Sequence, residues 1–178
     1  MGEASALLCV PSLRGVPTVY FGDEQRFISD GNDQLAREDI FPSKVAAYND
    51  NNLIGSDATT AQSNFDTDRP LYRVIADLAR ARSASPALRR GLTKVRAFEE
   101  SAPGLLAVER HEPETGQRVL LAFNTGASPL SRHIEVSYRA TGVTSLVGEC
   151  PQALAAPGTL SITLPPFGYA ACILETEK

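Results

Sequence analysis

The sequence predicts an α+β chain, with a mixed strand and helix piece up to Gly91 followed by an antiparallel β-sandwich. Three observations carry this expectation. Val16 to Phe21 is a short apolar run of strand character, and Asp66 to Ser83 has the period of an amphipathic helix. After Gly91 the apolar residues recur at every second position.

Taken in order, "EASALLCVPSL" is built of helix formers until Pro11, and Arg14-Gly15 then breaks the pattern. "VPTVYF" places Val16, Val19, Tyr20 and Phe21 in near-continuous apolar sequence, as a parallel strand covered on both faces requires. From Ile28 to Asp68 the chain turns to Asp, Asn, Ser, Thr and Gly, and only "PSKVAAY" has the makings of one or two helical turns. Connections of this length tend to be lids or binding loops.

"DTDRPLYRVIADLARARS" follows, with an acid ahead of a first-turn proline and Leu71, Ile75 and Leu78 on one helical face. "SPALRRG" ends the helical region at its glycine. Beyond it, "LLAVERHEPETGQRVLLAFN" reads as a hairpin about a Pro-Glu-Thr-Gly turn. Ile134, Val136 and Tyr138 alternate with polar residues, as do Leu160, Ile162 and Leu164. Six or seven strands are expected between Leu92 and Glu175, at the spacing of a sandwich. The expected domains are therefore 1–91 and 92–178.

Composition narrows the function classes. The 178 residues are 43% apolar with a net charge of −4, and the 17 Lys and Arg are interspersed with acids. No basic stripe offers itself to a phosphate backbone, so no nucleic acid partner is expected. No apolar run approaches the roughly 20 residues of a membrane span, and the first residues lack the basic start of a secretory leader. No membrane partner is expected, and no address is legible. Cys9, Cys150 and Cys172 are far apart and lack metal-ligand spacing, so they read as small core residues rather than a disulfide framework or a zinc site.

Five segments gain meaning from their order: "RGVPTVYFGDEQRF", "DQLAREDIFPS", "RPLYRVIADLARARSASPALRRG", "LLAFN" and "LPPFGYAACIL". Together they resemble the α-amylase family of glycoside hydrolases. The resemblance implies that the first segment is the eighth strand of a (β/α)8 barrel, that the amphipathic helix is the eighth barrel helix, and that an antiparallel β-sandwich follows. The fold expected is thus a partial (β/α)8 barrel segment followed by an antiparallel β-sandwich domain. An eight-unit barrel takes about 250 residues, so residues 1–91 hold only one or two of its units. The family's nucleophile, general acid and stabilising aspartate belong to strand ends that have no counterpart here. The resemblance therefore implies no catalytic residue in this chain, and the missing N-terminal barrel portion becomes an expected partner.

Candidate binding residues lie at the implied barrel rim. Asp23 and Glu24 stand side by side at a strand end and would point in roughly opposite directions, so they do not flank one glycosidic bond as a retaining pair would. They are read either as rim contacts to an α-glucan or oligosaccharide, or as acids held by backbone N–H groups or an arginine. Arg37 and Asp39 match a family segment in the loop after the eighth strand. A guanidinium suits vicinal hydroxyls, but it equally suits a carboxylate that pins a long loop. "SDGND" lacks the spacing of a calcium loop, and no metal or cofactor is expected. His111 and His133 lie in no nucleophile motif. Leu120, Phe123, Ile162 and Tyr169 read as core between sheets. Two further readings stay open: a stand-alone carbohydrate-binding sandwich, and one half of a split enzyme.

Overall fold

A computed structural model describes residues 15–28, 32, 41–137 and 139–176. The expectations for residues 3–13, Cys9, Arg37, Asp39 and Tyr138 lie outside the described residues. Seven strands are present among the described residues: β1 (Leu92–Phe98), β2 (Leu105–His111), β3 (Arg118–Asn124), β4 (Leu130–Glu135), β5 (Ala140–Val147), β6 (Thr159–Leu164) and β7 (Tyr169–Thr176). Two α-helices among the described residues precede them, α1 (Pro70–Ala84) and α2 (Pro86–Arg90). The chain divides into two compact units, Thr18–Ala76 and Asp77–Lys178 with the described residues up to Pro17.

In the second unit all pairing between named strands is antiparallel. One sheet has the order β1-β2-β3-β7-β5, and the other pairs β4 with β6. Side chains alternate across a strand, and the sequence obeys that period. Leu105 and Ala107, Leu120 and Ala122, and Ala170, Cys172 and Leu174 face the core from the large sheet. Ile134, Leu160, Ile162 and Leu164 face it from the small one. Strand β3 is buried on both faces, because Val119, Leu121 and Phe123 are covered as well. That double burial is why its sequence reads as an almost unbroken apolar run.

The hairpin joining β2 to β3 occurs where the Pro-Glu-Thr-Gly signal places it, with His111 opposite Arg118 and Gly116 at φ 73°. Its turn is tied to α2. The Gln117 carbonyl oxygen Oε1 accepts from the Ser85 hydroxyl at 2.7 Å and from Ala87 N–H at 3.0 Å. Ser85 in turn caps α2 by accepting from Leu88 N–H. Gly91 closes that helix without room for a side chain, since a Cβ there would fall 2.4 Å from the Ala87 carbonyl oxygen. Strand β1 begins at the next residue. It is an edge strand with Leu92, Val95 and Phe98 exposed, and a register irregularity between Val95 and Ala97 interrupts its ladder.

Two expectations are corrected. Cys150 and Cys172 are not separate core thiols but form a disulfide, with Cα atoms 5.8 Å apart. Cys172 lies on β7 and Cys150 just beyond β5. Because β5 pairs with β7, two residues 22 apart in sequence become neighbours. That pairing is nonlocal, so spacing alone does not reveal it. The second correction concerns "VPTVYF", where no strand forms. Val16, Tyr20 and Phe21 are 90%, 63% and 61% exposed. A parallel strand exists only with a neighbour to bond, and here Tyr20 bonds locally instead: its N–H donates to Asp23 Oδ2 and its carbonyl accepts from Asp23 N–H.

Candidate functional site

The paired acids sit on a sharp local turn in the first unit. Gly22 adopts φ 94°, a conformation that suits a residue without Cβ, and a short 3₁₀ turn, Asp23–Gln25, follows. Asp23 is half-buried and accepts the Tyr20 N–H at 3.0 Å, so one carboxylate oxygen is engaged in closing the turn. Glu24 is half-buried beside it. Arg26 ends the turn at φ 65° and is held at its carbonyl by Ile54 N–H.

The residue that anchors this turn is Gln25, which the sequence reading passed over. It is buried, and its amide clasps the backbone of Asp66, donating from Nε2 to the carbonyl at 3.3 Å and accepting at Oε1 from the N–H at 3.0 Å. The signal was present in "GDEQRF", since an uncharged amide can satisfy a donor and an acceptor together. Thr60 and Asn64 play the same part within the long polar segment. The Thr60 hydroxyl lies 2.5 Å from the Tyr48 carbonyl, and Asn64 Nδ2 donates to the Thr59 carbonyl at 2.6 Å. "PSKVAAY" supplies only the short 3₁₀ turn Ala46–Tyr48. Phe65 packs between Phe27 and Phe41, with ring centroids 6.4 and 6.0 Å away.

The buried carboxylates of the sandwich are structural. Glu109 accepts from Arg96 Nε at 2.8 Å and Nη2 at 2.5 Å, and from Arg118 Nη1 at 2.6 Å. Burial of that carboxylate is tolerable because two guanidinium groups neutralise it. Glu112 accepts from the Thr115 hydroxyl at 2.6 Å, and from the backbone N–H groups of Thr115 and Glu114. The Thr115 hydroxyl is the largest cause of its lowered pKa, ahead of those N–H groups and the Arg90 charge, and outweighs burial to bring it down to about 2. A carboxyl so acidic holds no proton near neutral pH and cannot act as a general acid there. His133 Nδ1 lies 2.6 Å from the Ser161 hydroxyl on the exposed face of the small sheet, beside the Ser131–Thr163 hydroxyl pair. This is a cross-strand polar ladder. Among the described residues no cluster of His, Cys, Asp and Glu is suited to hold a metal.

Two of the five ordered segments meet in space. Asn124 of "LLAFN" receives the backbone of "LPPFGYAACIL": its N–H donates to the Gly168 carbonyl at 2.8 Å and its Nδ2 to the Pro165 carbonyl at 2.8 Å. The motif residues therefore lock one end of the sandwich.

The two-sheet antiparallel domain is the sandwich that the resemblance to the α-amylase family of glycoside hydrolases implied, whereas the implied barrel strand does not form. Comparison with known proteins agrees. The chain is 41% identical over 115 residues to an α-amylase of Streptomyces lividans, a match covering 65% of this chain and 12% of that protein. No family profile matches it. Among solved structures it shares the fold of an Anoxybacillus α-amylase, with a TM-score of 0.66 at 18% identity, covering 98% of this chain and 32% of that one. It is likewise similar to AmyP in complex with maltotriose, with a TM-score of 0.66 at 19% identity over 99% of this chain and 35% of that one. A cyclomaltodextrin glucanotransferase gives a TM-score of 0.65 at 21% identity over 99% and 33%. The chain thus resembles α-amylase-family enzymes, and it spans about a third or less of the length of each.

Proposed function

We propose that this chain is the C-terminal portion of a retaining glycoside hydrolase, or of a related glucosyl transferase, acting on α-glucosidic bonds of starch or maltooligosaccharides. In the whole protein, residues 1–91 contribute the last helix of a (β/α)8 barrel, its rim loop and the extended segment 16–21, which pairs as the last strand only once neighbouring strands are present, and residues 92–178 contribute the β-sandwich. Asp23, Glu24, Arg37 and Asp39 are rim contacts to the sugar, while the nucleophile and general acid belong to the rest of the barrel.

The observation that carries this reading is an asymmetry of coverage. The three solved structures match 98–99% of this chain but only 32–35% of their own, and the curated α-amylase matches 65% of this chain but only 12% of its own length. The maltotriose bound to AmyP supports an oligosaccharide as substrate. Exposed Val16, Tyr20 and Phe21 favour a covering partner, because an apolar run of this kind is an aggregation liability until neighbouring strands bury it. The same observation favours the split-enzyme variant, in which a second chain supplies those strands.

The test is direct. The purified chain should release no reducing sugar from starch or maltoheptaose, since both reacting carboxylates lie elsewhere. Turnover by this chain alone contradicts the proposal.

A further inference from the structure

The connection from β5 to β6, residues 148–158, carries the chain from the five-stranded sheet to the two-stranded one. Since β5 is the edge of its sheet, this strap passes over the open side of the core. Cys150 and Leu154 of the strap are partly buried and pack against the cluster that includes Ile162, Cys172 and Leu174.

The strap is held at both ends and, between them, by one covalent bond. At its root Gly148 adopts φ 69°, and a Cβ there would fall 2.5 Å from the Tyr169 carbonyl oxygen, so a residue without Cβ lets the chain pass this close to β7. At its far end Ala155 N–H donates to the Thr159 carbonyl at 3.0 Å, and Thr159 N–H to the Ala156 carbonyl at 2.9 Å. In between, Cys150 N–H donates to the Ser145 hydroxyl oxygen at 3.1 Å, and its sulfur joins Cys172. Among the described residues the backbone of 151–154 bonds to no other backbone group, and Gln152 and Ala153 are exposed.

Cutting the disulfide therefore leaves the middle of the strap with little. It keeps the packing of Leu154, the Ser145 contact and a weak thiol donor 3.4 Å from the Ala171 carbonyl oxygen. Strand β7, by contrast, keeps its ladders to β3 and β5 on either side.

We propose that the Cys150–Cys172 bond is a redox latch on this strap, which opens locally under a dithiol reductant and exposes the core edge to proteases while the sheets persist. The two sulfurs differ in access, since Cys172 is fully buried and Cys150 only partly. A thiolate of the reductant attacks Cys150 Sγ, the S–S bond breaks, and Cys172 leaves as a thiolate that takes up a proton. The reductant's second thiol then attacks the mixed disulfide. Cys150 is released as a thiol and the reductant departs as a disulfide, two electrons and two protons having passed to the protein. Expelling a thiolate into apolar surroundings is slow, because they disfavour the charged form. The latch thus withstands brief contact with thiols and yields to a sustained reducing environment, where disulfides do not persist. It belongs to the sandwich alone and is independent of the chain's substrate.

The experiment is limited digestion of the full chain by thermolysin, which cuts before bulky apolar residues, with and without dithiothreitol and with fragments mapped by mass. Cleavage at Leu154 should be about tenfold faster after reduction, while cuts within residues 16–28 keep their rate. Amides of β2 and β3 should stay protected from hydrogen exchange in the reduced chain. Cys150→Ser should be cut at the faster rate with or without dithiothreitol. Equal cleavage at Leu154 in the oxidised and reduced chains, or a disulfide that dithiothreitol opens only in urea, overturns the latch. Loss of β2 and β3 protection together with the opening of the strap overturns it as well, because the bond would then be a global staple.

Discussion

Residues 18–76 and the sandwich keep their shapes by different means. In the sandwich, backbone groups pair along ladders and apolar side chains interdigitate between two sheets. Among the described residues of 18–76 only Leu53 and Leu71 are buried apolar side chains, and they are joined by Gln25, Thr60 and Asn64, which satisfy backbone atoms one at a time. The difference shows what each region can supply. A sheet core is stable by area buried, whereas a polar loop is ordered only by specific hydrogen bonds, which suits a surface that meets a ligand.

The largest effect should come from truncating one apolar side chain in each region. Leu120 is wholly buried between the sheets, so Leu120→Ala should cost about 2–5 kcal/mol in urea unfolding. Phe65 is 47% exposed, and Phe65→Ala should cost well under half as much. Equal losses would mean that residues 18–76 have a core comparable to the sandwich.

Next comes the disulfide. Reduction, or Cys150→Ser, releases a closure of 22 residues and should lower sandwich stability by about 3 kcal/mol. Thiol titration of the unfolded, unreduced protein should find only Cys9 free.

The smallest effect is a pH dependence confined to the β2–β3 turn. The folded pKa of Glu112, about 2, lies below its ordinary 4.5, so its ionised form favours the folded state. That contribution is complete above pH 4.5 and is lost as pH falls toward 2. Glu112→Gln should therefore narrow the gap between urea midpoints measured at pH 6 and pH 3. An unchanged gap would show that the Thr115 and backbone contacts do not hold the carboxylate in solution.

How much of this was legible in the sequence follows the range of the interactions. The β2–β3 hairpin and the Ile134 and Leu160–Leu164 alternations declare themselves within a few residues, and the structure has them. So does the helix over Pro70–Ala84, whose Leu71 and Leu78 are buried as its period requires. The placement of β7 between β3 and β5 is not a local property, and the disulfide depends on it. "VPTVYF" fails for the complementary reason: its residues specify an apolar extended segment, but a strand also needs a partner that local sequence cannot name. At the candidate site, Asp23 and Glu24 were visible as charges, whereas the Gln25 clasp on Asp66 spans 41 residues and was not.

Native-state hydrogen exchange tests most directly the claim that a self-sufficient sandwich accompanies a region ordered by isolated polar contacts. Amides of β2, β3 and β7 should exchange only through global unfolding, while those of residues 41–69 exchange through local opening at far lower free energy. Equal, high protection in both regions of a monomeric chain would contradict it.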